Sequence, residues 1–442
     1  MQFNSIEFLF YFLPACLLAY YILPKVCRST VLLLFSLFFY WINCRENVWQ
    51  LVLLVGLTAM TFGLGCWLSA SKRKWVLTIS LLVLAAALVF FKVYKAGTML
   101  PVGMSFYLFQ MAAYLVDCFQ GTYKADRNLL SYGSKMVMFP KLLSGPIIVA
   151  SELESQQGYV YSSGMIRAGF QKLIVGLALK VLLASRLGSV MPQTVVMGFE
   201  SISVPYAWLA LICFALQLYF DFFGYSLMAV GLGQMFGFFL PDNFNHPYAS
   251  KSVSEFYRRW HMTLGLWFRK YIYIPLGGNR KGAFLTLLNL AVVWLLTGLW
   301  HGVGGNYLIW AGILLFFIIN ERLWLRKLLD KCGFLAHIYT LFAILISWIP
   351  FAIGDFDSML IFAGRLFGTA GQTVSPLDFT YDLKAMGHAL VVGILLAMPW
   401  PEKLWLRIRK SWVADVIIFV IFWFVVHEIC TAEQSPFLYF QY

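Results

Sequence analysis

Apolar runs close to the ~20 residues that cross a hydrocarbon core of ~30 Å as a helix recur from Phe8 to Cys430. Four of them, with short connections, fill residues 6 to 95, and two more lie near Arg167 to Leu183 and Pro205 to Phe220. Further runs cover Phe284 to Trp300, Tyr307 to Asn320, Ile338 to Phe351, Ala389 to Trp400 and Ala414 to Cys430. The pattern predicts an all-α polytopic membrane protein of roughly 11 to 13 helices. No polar linker or low-complexity tract separates a soluble part, so residues 1–442 are expected to form a single membrane-embedded domain. The first run, Phe8 to Leu23, lacks a basic n-region and a small-residue cleavage site and is read as a retained helix.

The interruptions in this pattern are as informative as the runs. Between Phe139 and Ile147, two prolines and a glycine break an apolar stretch, as expected of a re-entrant segment or cavity lining. Gln217, Tyr219, Asp221, Tyr225 and Ser226 bring polarity into another run. A carboxylate there costs at least a few kcal/mol to insert, so Asp221 is expected to pair within the bundle. Residues 242 to 282 are the least membrane-like part of the second half: cations alternate with Phe256, Tyr257, Trp260, Trp267, Phe268, Tyr271 and Tyr273, the composition of a segment in the headgroup layer. Gly277-Gly278-Asn279-Arg280 is read as a tight turn in preference to an anion-binding nest.

Composition agrees, with 61% hydrophobic and 12% charged residues, where soluble domains carry about 25% charged residues. The net charge of +13 then points to cytoplasmic loops and anionic lipid headgroups, and away from nucleic acid. Lys25, Arg28 and Lys72-Arg73-Lys74 mark the inner face and place the N-terminus outside, a pattern that Lys92 and Lys95 blur. The eight cysteines show no CxxC pair or His-rich spacing, so neither a disulfide framework nor a metal site is expected.

Of six histidines, His261 and His301 sit among residues that suggest a site. Trp294, Thr297 and His301 fall on one helical face, where Thr297 is placed to orient the imidazole. A histidine titrates at about 6.5 when unperturbed, and a neutral one at a helix end is suited to general-base work. Spacing alone fits equally well a histidine that bonds a backbone carbonyl before Gly302. His246, His337, His388 and His427 read as structural or interfacial. No Ser-His-Asp elbow, P-loop or dinucleotide fingerprint is present.

RRWHMTLGLWFRKYIYIPLGGNR at Arg258 to Arg280, followed by TGLWHG at Thr297 to Gly302, resembles the membrane-bound O-acyltransferases, in the branch of the alginate O-acetyltransferase membrane subunits. The likeness extends over FNSIEFLFYFLP at Phe3 to Pro14, PVGMSFYLFQ at Pro101 to Gln110, FPKLLSGPI at Phe139 to Ile147, DFFGYS at Asp221 to Ser226, DNFNHPY at Asp242 to Tyr248 and PFLYFQY at Pro436 to Tyr442. The chain departs from that pattern at Phe223, Leu227 and near Leu314.

The resemblance implies a ring of tilted helices around a central tunnel, with His301 as the catalytic histidine and His261 as the second, on the cytoplasmic side. It implies O-acetyl transfer from acetyl-coenzyme A toward hydroxyls of an extracytoplasmic polysaccharide such as an alginate-type exopolysaccharide, cellulose or peptidoglycan, with an SGNH-type periplasmic acetyltransferase as partner and the bacterial cytoplasmic (inner) membrane as location. Arg258, Arg259, Arg269 and Lys270 are candidates to hold the donor's phosphates, against the competing account of positive-inside topology and contact with membrane lipids. Two other readings remain open at this stage: a flippase for polysaccharide or lipid-linked sugar, which needs a wide hydrophilic path, and a scaffold in a polymer-export complex.

Overall fold

A computed structural model describes residues 1–94, 100–148, 162–371 and 373–431. The described residues form helices, turns and irregular connections, with no strand among them, and the protein is an all-α polytopic membrane protein. Among the described residues, ten helices are long and apolar enough to span a bilayer, and Glu7–Ile22 is a shorter apolar one. That total sits at the lower edge of the sequence expectation. Met104–Gln120 stops at 17 residues and buries Gln110 and Asp117, and the stretch after it is cut into short pieces by Gly121, Pro140 and Gly145. The PFLYFQY motif lies outside the described residues.

The chain divides into two compact units. The first comprises Met1–Gly176, Tyr225–Asp242 and Ile429–Thr431. It contains α1 (Glu7–Ile22), α2 (Lys25–Asn43), α3 (Trp49–Ser71), α4 (Lys74–Val93), α5 (Met104–Gln120), α6 (Leu129–Met136) and α7 (Phe139–Leu142). The apolar stretch that the prolines interrupt does break: α7 is four residues long. Its Phe139 ring packs among Phe3, Phe8, Phe12 and Phe39 at centroid distances of 5.2 to 6.4 Å. The Lys141 ammonium, fully buried, donates to the side-chain oxygen of Gln110 on α5, which explains the polarity in that helix.

The second unit comprises Leu177–Gly224 and Asn243–Glu428. α8 (Ser163–Met197) and α9 (Val204–Met235) each belong partly to both units. The rest are the short α10 (Val253–Arg259) and α11 (Met262–Phe268), then α12 (Ala283–His301), α13 (Gly305–Leu329), α14 (Gly333–Ala352), α15 (Phe356–Leu366), α16 (Leu377–Leu396), α17 (Pro399–Ile408) and α18 (Trp412–Thr431). Asp221 of α9 pairs with Lys180 of α8 at 2.5 Å, both side chains buried, so the carboxylate inside an apolar helix is neutralised by a cation on the neighbouring one. This is the structural pairing expected of it.

The α12–α13 hairpin sets the frame of the site. A Cβ at Gly298 would stand 3.0 Å from the Tyr307 carbonyl oxygen, and one at Gly302 would strike the Tyr307 ring at 2.3 Å. Glycine at both places lets the two helices close on each other directly after His301, and the bend between them needs only residues 302 to 304.

Candidate functional site

His301 is the last residue of α12 and is 6% exposed. Aromatic rings enclose it: Trp300 at 4.7 Å, Trp310 at 4.9 Å and Phe351 at 5.1 Å between centroids, each roughly perpendicular, with Tyr307 stacked at 6.2 Å. α13 and α14 supply these rings apart from Trp300. Thr297 shares the cavity-facing side of α12 with Trp294 and His301, as the helical period predicts. Its hydroxyl, however, donates to the Val293 carbonyl at 2.8 Å, the backbone acceptor one turn back on its own helix.

His261 reaches the same cavity by a different route. α10 stops at Arg259, Trp260 is extended, and His261 then takes a left-handed conformation with φ +45° as the residue preceding α11. For a non-glycine residue that conformation costs about 1 to 2 kcal/mol, and strain of this kind gathers at functional sites. α10 is anchored at its start by Ser252, whose hydroxyl accepts from the Glu255 N–H at 3.0 Å, and by Glu321 of α13, whose carboxylate accepts from the N–H groups of Val253 and Ser254. A carboxylate at that end also matches the helix dipole.

Asn243 determines the state of the His261 ring. Its Oδ1 accepts from the Thr263 backbone N–H at 3.2 Å and the Thr263 hydroxyl at 2.9 Å, and lies 3.1 Å from His261 Nδ1. A backbone N–H can only donate, so the amide atom at this point is the oxygen, and the His261 Nδ1 facing it carries a proton. In the neutral ring the lone pair then resides on Nε2. Burial pushes the ring's pKa down to about 3, which keeps it neutral at physiological pH.

The two imidazoles line one chamber of about 260 Å³, together with Trp260, Trp294, Trp310, Trp348 and Phe351 among others. A second cavity of about 940 Å³ adjoins it, and Tyr257, Gly265, Arg269, Tyr273, Leu290 and Trp294 line both. The larger one is a vestibule bordered by the charged side chains of Lys251, Arg258, Arg269, Arg322 and Arg326 against Glu255, Glu321 and Asp330. Glu321 is engaged at the start of α10 and Glu255 pairs with Arg259 at 2.6 Å, which leaves the vestibule predominantly cationic.

Of the four cations singled out in the sequence, Arg258 and Arg269 border the vestibule, whereas Arg259 and Lys270 line neither cavity. Arg259 is held by Glu255, and the Lys270 ammonium lies 5.0 Å from the Tyr271 ring centre. The sequence reading missed Lys251, Arg322 and Arg326; for the two arginines the basic run in the last turns of α13 was the available signal. Asp221 is absent from the lining of both cavities. His246 binds Glu402 at 2.5 Å, His337 lies 3.1 Å from the Ser250 carbonyl and His388 sits 3.3 Å from Arg186. Gly277 and Gly278 take positive φ in a turn that the Asn289 side chain ties down through the Gly278 carbonyl at 3.0 Å.

Residues 70–344 match the membrane-bound O-acyltransferase (MBOAT) family. The chain is 30% identical to a probable alginate O-acetylase of Pseudomonas putida, over the whole of both chains. It is also 30% identical to a peptidoglycan O-acetyltransferase of Helicobacter pylori, covering 86% of this chain and 82% of that one. A teichoic acid D-alanyltransferase of Bacillus subtilis is 26% identical over 47% of this chain and 55% of its own.

Proposed function

This chain belongs to the membrane-bound O-acyltransferase family, and we propose that it takes acetyl from acetyl-coenzyme A on the cytoplasmic side of the inner membrane and passes it toward hydroxyls of an extracytoplasmic polysaccharide. Its relatives are named for acyl modification of polymers: alginate, peptidoglycan and teichoic acid. The observation that carries the finer reading is a small aromatic chamber lined by both histidines and adjoining a cationic vestibule. Phosphates match Arg258, Arg269 and their neighbours, while an uncharged thioester end matches the apolar chamber.

In this scheme His301 accepts the proton of the attacking hydroxyl as its oxygen bonds to the thioester carbonyl carbon. The carbon–sulfur bond then breaks, and the proton passes to the departing thiolate, giving an acetyl ester and free coenzyme A. His261, with its proton on Nδ1 and its lone pair on Nε2, is a fixed neutral acceptor that positions the donor and the start of α11. The acceptor is a hydroxyl of the polymer, or of an SGNH-type periplasmic acetyltransferase that relays the group. A sugar flippase finds no support in a chamber of this size and lining, since sugar hydroxyls need polar partners along their path.

The test is acetyl release from labelled acetyl-coenzyme A by purified protein in detergent. His301→Ala and His301→Gln should lose turnover by about 100-fold or more, the scale of general acid–base catalysis, with unchanged elution and melting. Wild-type turnover in the folded His301→Ala protein would remove His301 from the chemistry.

A further inference from the structure

The geometry points to Gly265 as the residue that sets the width of the passage between vestibule and chamber, admitting a slender, unbranched thioester arm and holding its bulky charged head outside. The inference rests on the reading of the vestibule as the donor's entrance.

Three observations carry it. Gly265 lines both cavities and is exposed. It also lies inside α11, where glycine costs roughly 1 kcal/mol relative to alanine, so its presence calls for a reason. Neither usual reason applies. Its backbone is helical, with no positive φ. No neighbour crowds it either: the nearest atom a Cβ would meet is the Tyr257 carbonyl oxygen at 3.8 Å, ordinary van der Waals contact.

Gly298 and Gly302 make the contrast, because there a Cβ would meet the Tyr307 backbone or ring at 3.0 and 2.3 Å. Those two are glycines of helix packing. At Gly265 a side chain has room on the protein side and would project from α11 at the junction, where Tyr257 and Trp294 also face both cavities with ring centroids 4.8 Å apart. A missing side chain at this point is a width, and it selects on cross-section.

Plugging after folding tests this. Full-length Gly265→Cys and wild-type protein are purified in detergent and treated with N-ethylmaleimide or with a polyethylene-glycol maleimide, and peptide mass spectrometry reads the introduced thiol itself. The wild type reports the effect of modifying the native thiols, of which Cys430 is exposed. N-ethylmaleimide should modify the introduced thiol and lower acetyl-coenzyme A turnover at least about tenfold relative to treated wild type, while the bulky maleimide should react at least about tenfold more slowly. Coenzyme A should slow the modification.

Equal reaction of both maleimides would show an open surface and overturn the inference, as would a Gly265→Cys protein fully alkylated at that position with undiminished turnover. The size comparison needs no donor. A wild type that neither binds nor turns over acetyl-coenzyme A would refute the proposed donor, and the maleimide rates would still decide the passage.

Discussion

Replacing Asn243 by alanine should destabilise the protein more than any other single change in the loop that carries His261. The Asn243 Oδ1 accepts from three buried donors: His261 Nδ1–H, the Thr263 N–H and the Thr263 hydroxyl. A buried donor left without an acceptor costs ~1 to 3 kcal/mol, so three would cost between ~3 and ~9 kcal/mol if all stayed dry. Water entering the space vacated by the carboxamide would satisfy some of them, which favours the lower end, about 3 kcal/mol. Asn243→Asp is the informative partner, because it retains an acceptor oxygen and adds a charge that favours a protonated His261 ring. Chemical or thermal unfolding in detergent, followed by tryptophan fluorescence, reads the stability. The alanine variant should lose about 3 kcal/mol and the aspartate variant distinctly less. Equal stability of Asn243→Ala and wild type would show that this amide does not hold the loop, and the argument for the His261 tautomer would fall with it.

Further outcomes follow from the same geometry. Because the folded His261 pKa lies near 3 and the unfolded one at about 6.5, acid protonates the unfolded chain first. The stability this group confers is complete above pH ~6.5 and is lost as pH falls toward ~3, with a slope of at most about 1.4 kcal/mol per pH unit; unfolding measured at several pH values should show the slope flatten in His261→Gln. Removing one partner of the Lys180–Asp221 pair should cost about 3 to 5 kcal/mol, while Lys180→Met with Asp221→Leu should recover most of it, as a double-mutant cycle of melting curves would show. Arg258→Ala and Arg269→Ala should raise the KM for acetyl-coenzyme A by about tenfold each, from loss of charge-assisted contacts, with Arg259→Ala changing it less because that guanidinium is held by Glu255. Equal effects from all three would place the donor's phosphates elsewhere.

What the sequence disclosed and what it hid divide along the range of the interactions. Apolar run length located most of the membrane helices, although the run from Ala389 to Trp400 crosses the break between α16 and α17, and helical period put Trp294, Thr297 and His301 on one side of α12, since both are properties of neighbouring residues. Asp221 was readable as a residue in need of a partner, but nothing local nominated Lys180, 41 positions earlier. Glu321 holds the start of α10 from 67 or 68 positions away, and Lys251, Arg322 and Arg326 complete the vestibule from two separate segments. Such pairings exist only once the helices pack. Thr297 shows the opposite case: a local acceptor, the Val293 carbonyl, takes its hydroxyl proton, leaving the oxygen able only to accept.

The aromatic chamber has a consequence for the energetics of the cell. A protein that passes acyl groups through an energised membrane must not leak protons or sodium while doing so, and each elementary charge crossing 100 mV dissipates about 2.3 kcal/mol. Trp260, Trp294, Trp310, Trp348 and Phe351 give the chamber a largely apolar wall, with His261, Thr297, His301 and Arg269 among its few polar side chains, and desolvating an ion without enough compensating ligands costs many kcal/mol. An acetyl group carries no charge and incurs little of that penalty. Under the proposed reaction, the same wall of rings that would shelter the thioester would also work as electrical insulation, so that modifying an outer polymer would not discharge the membrane potential.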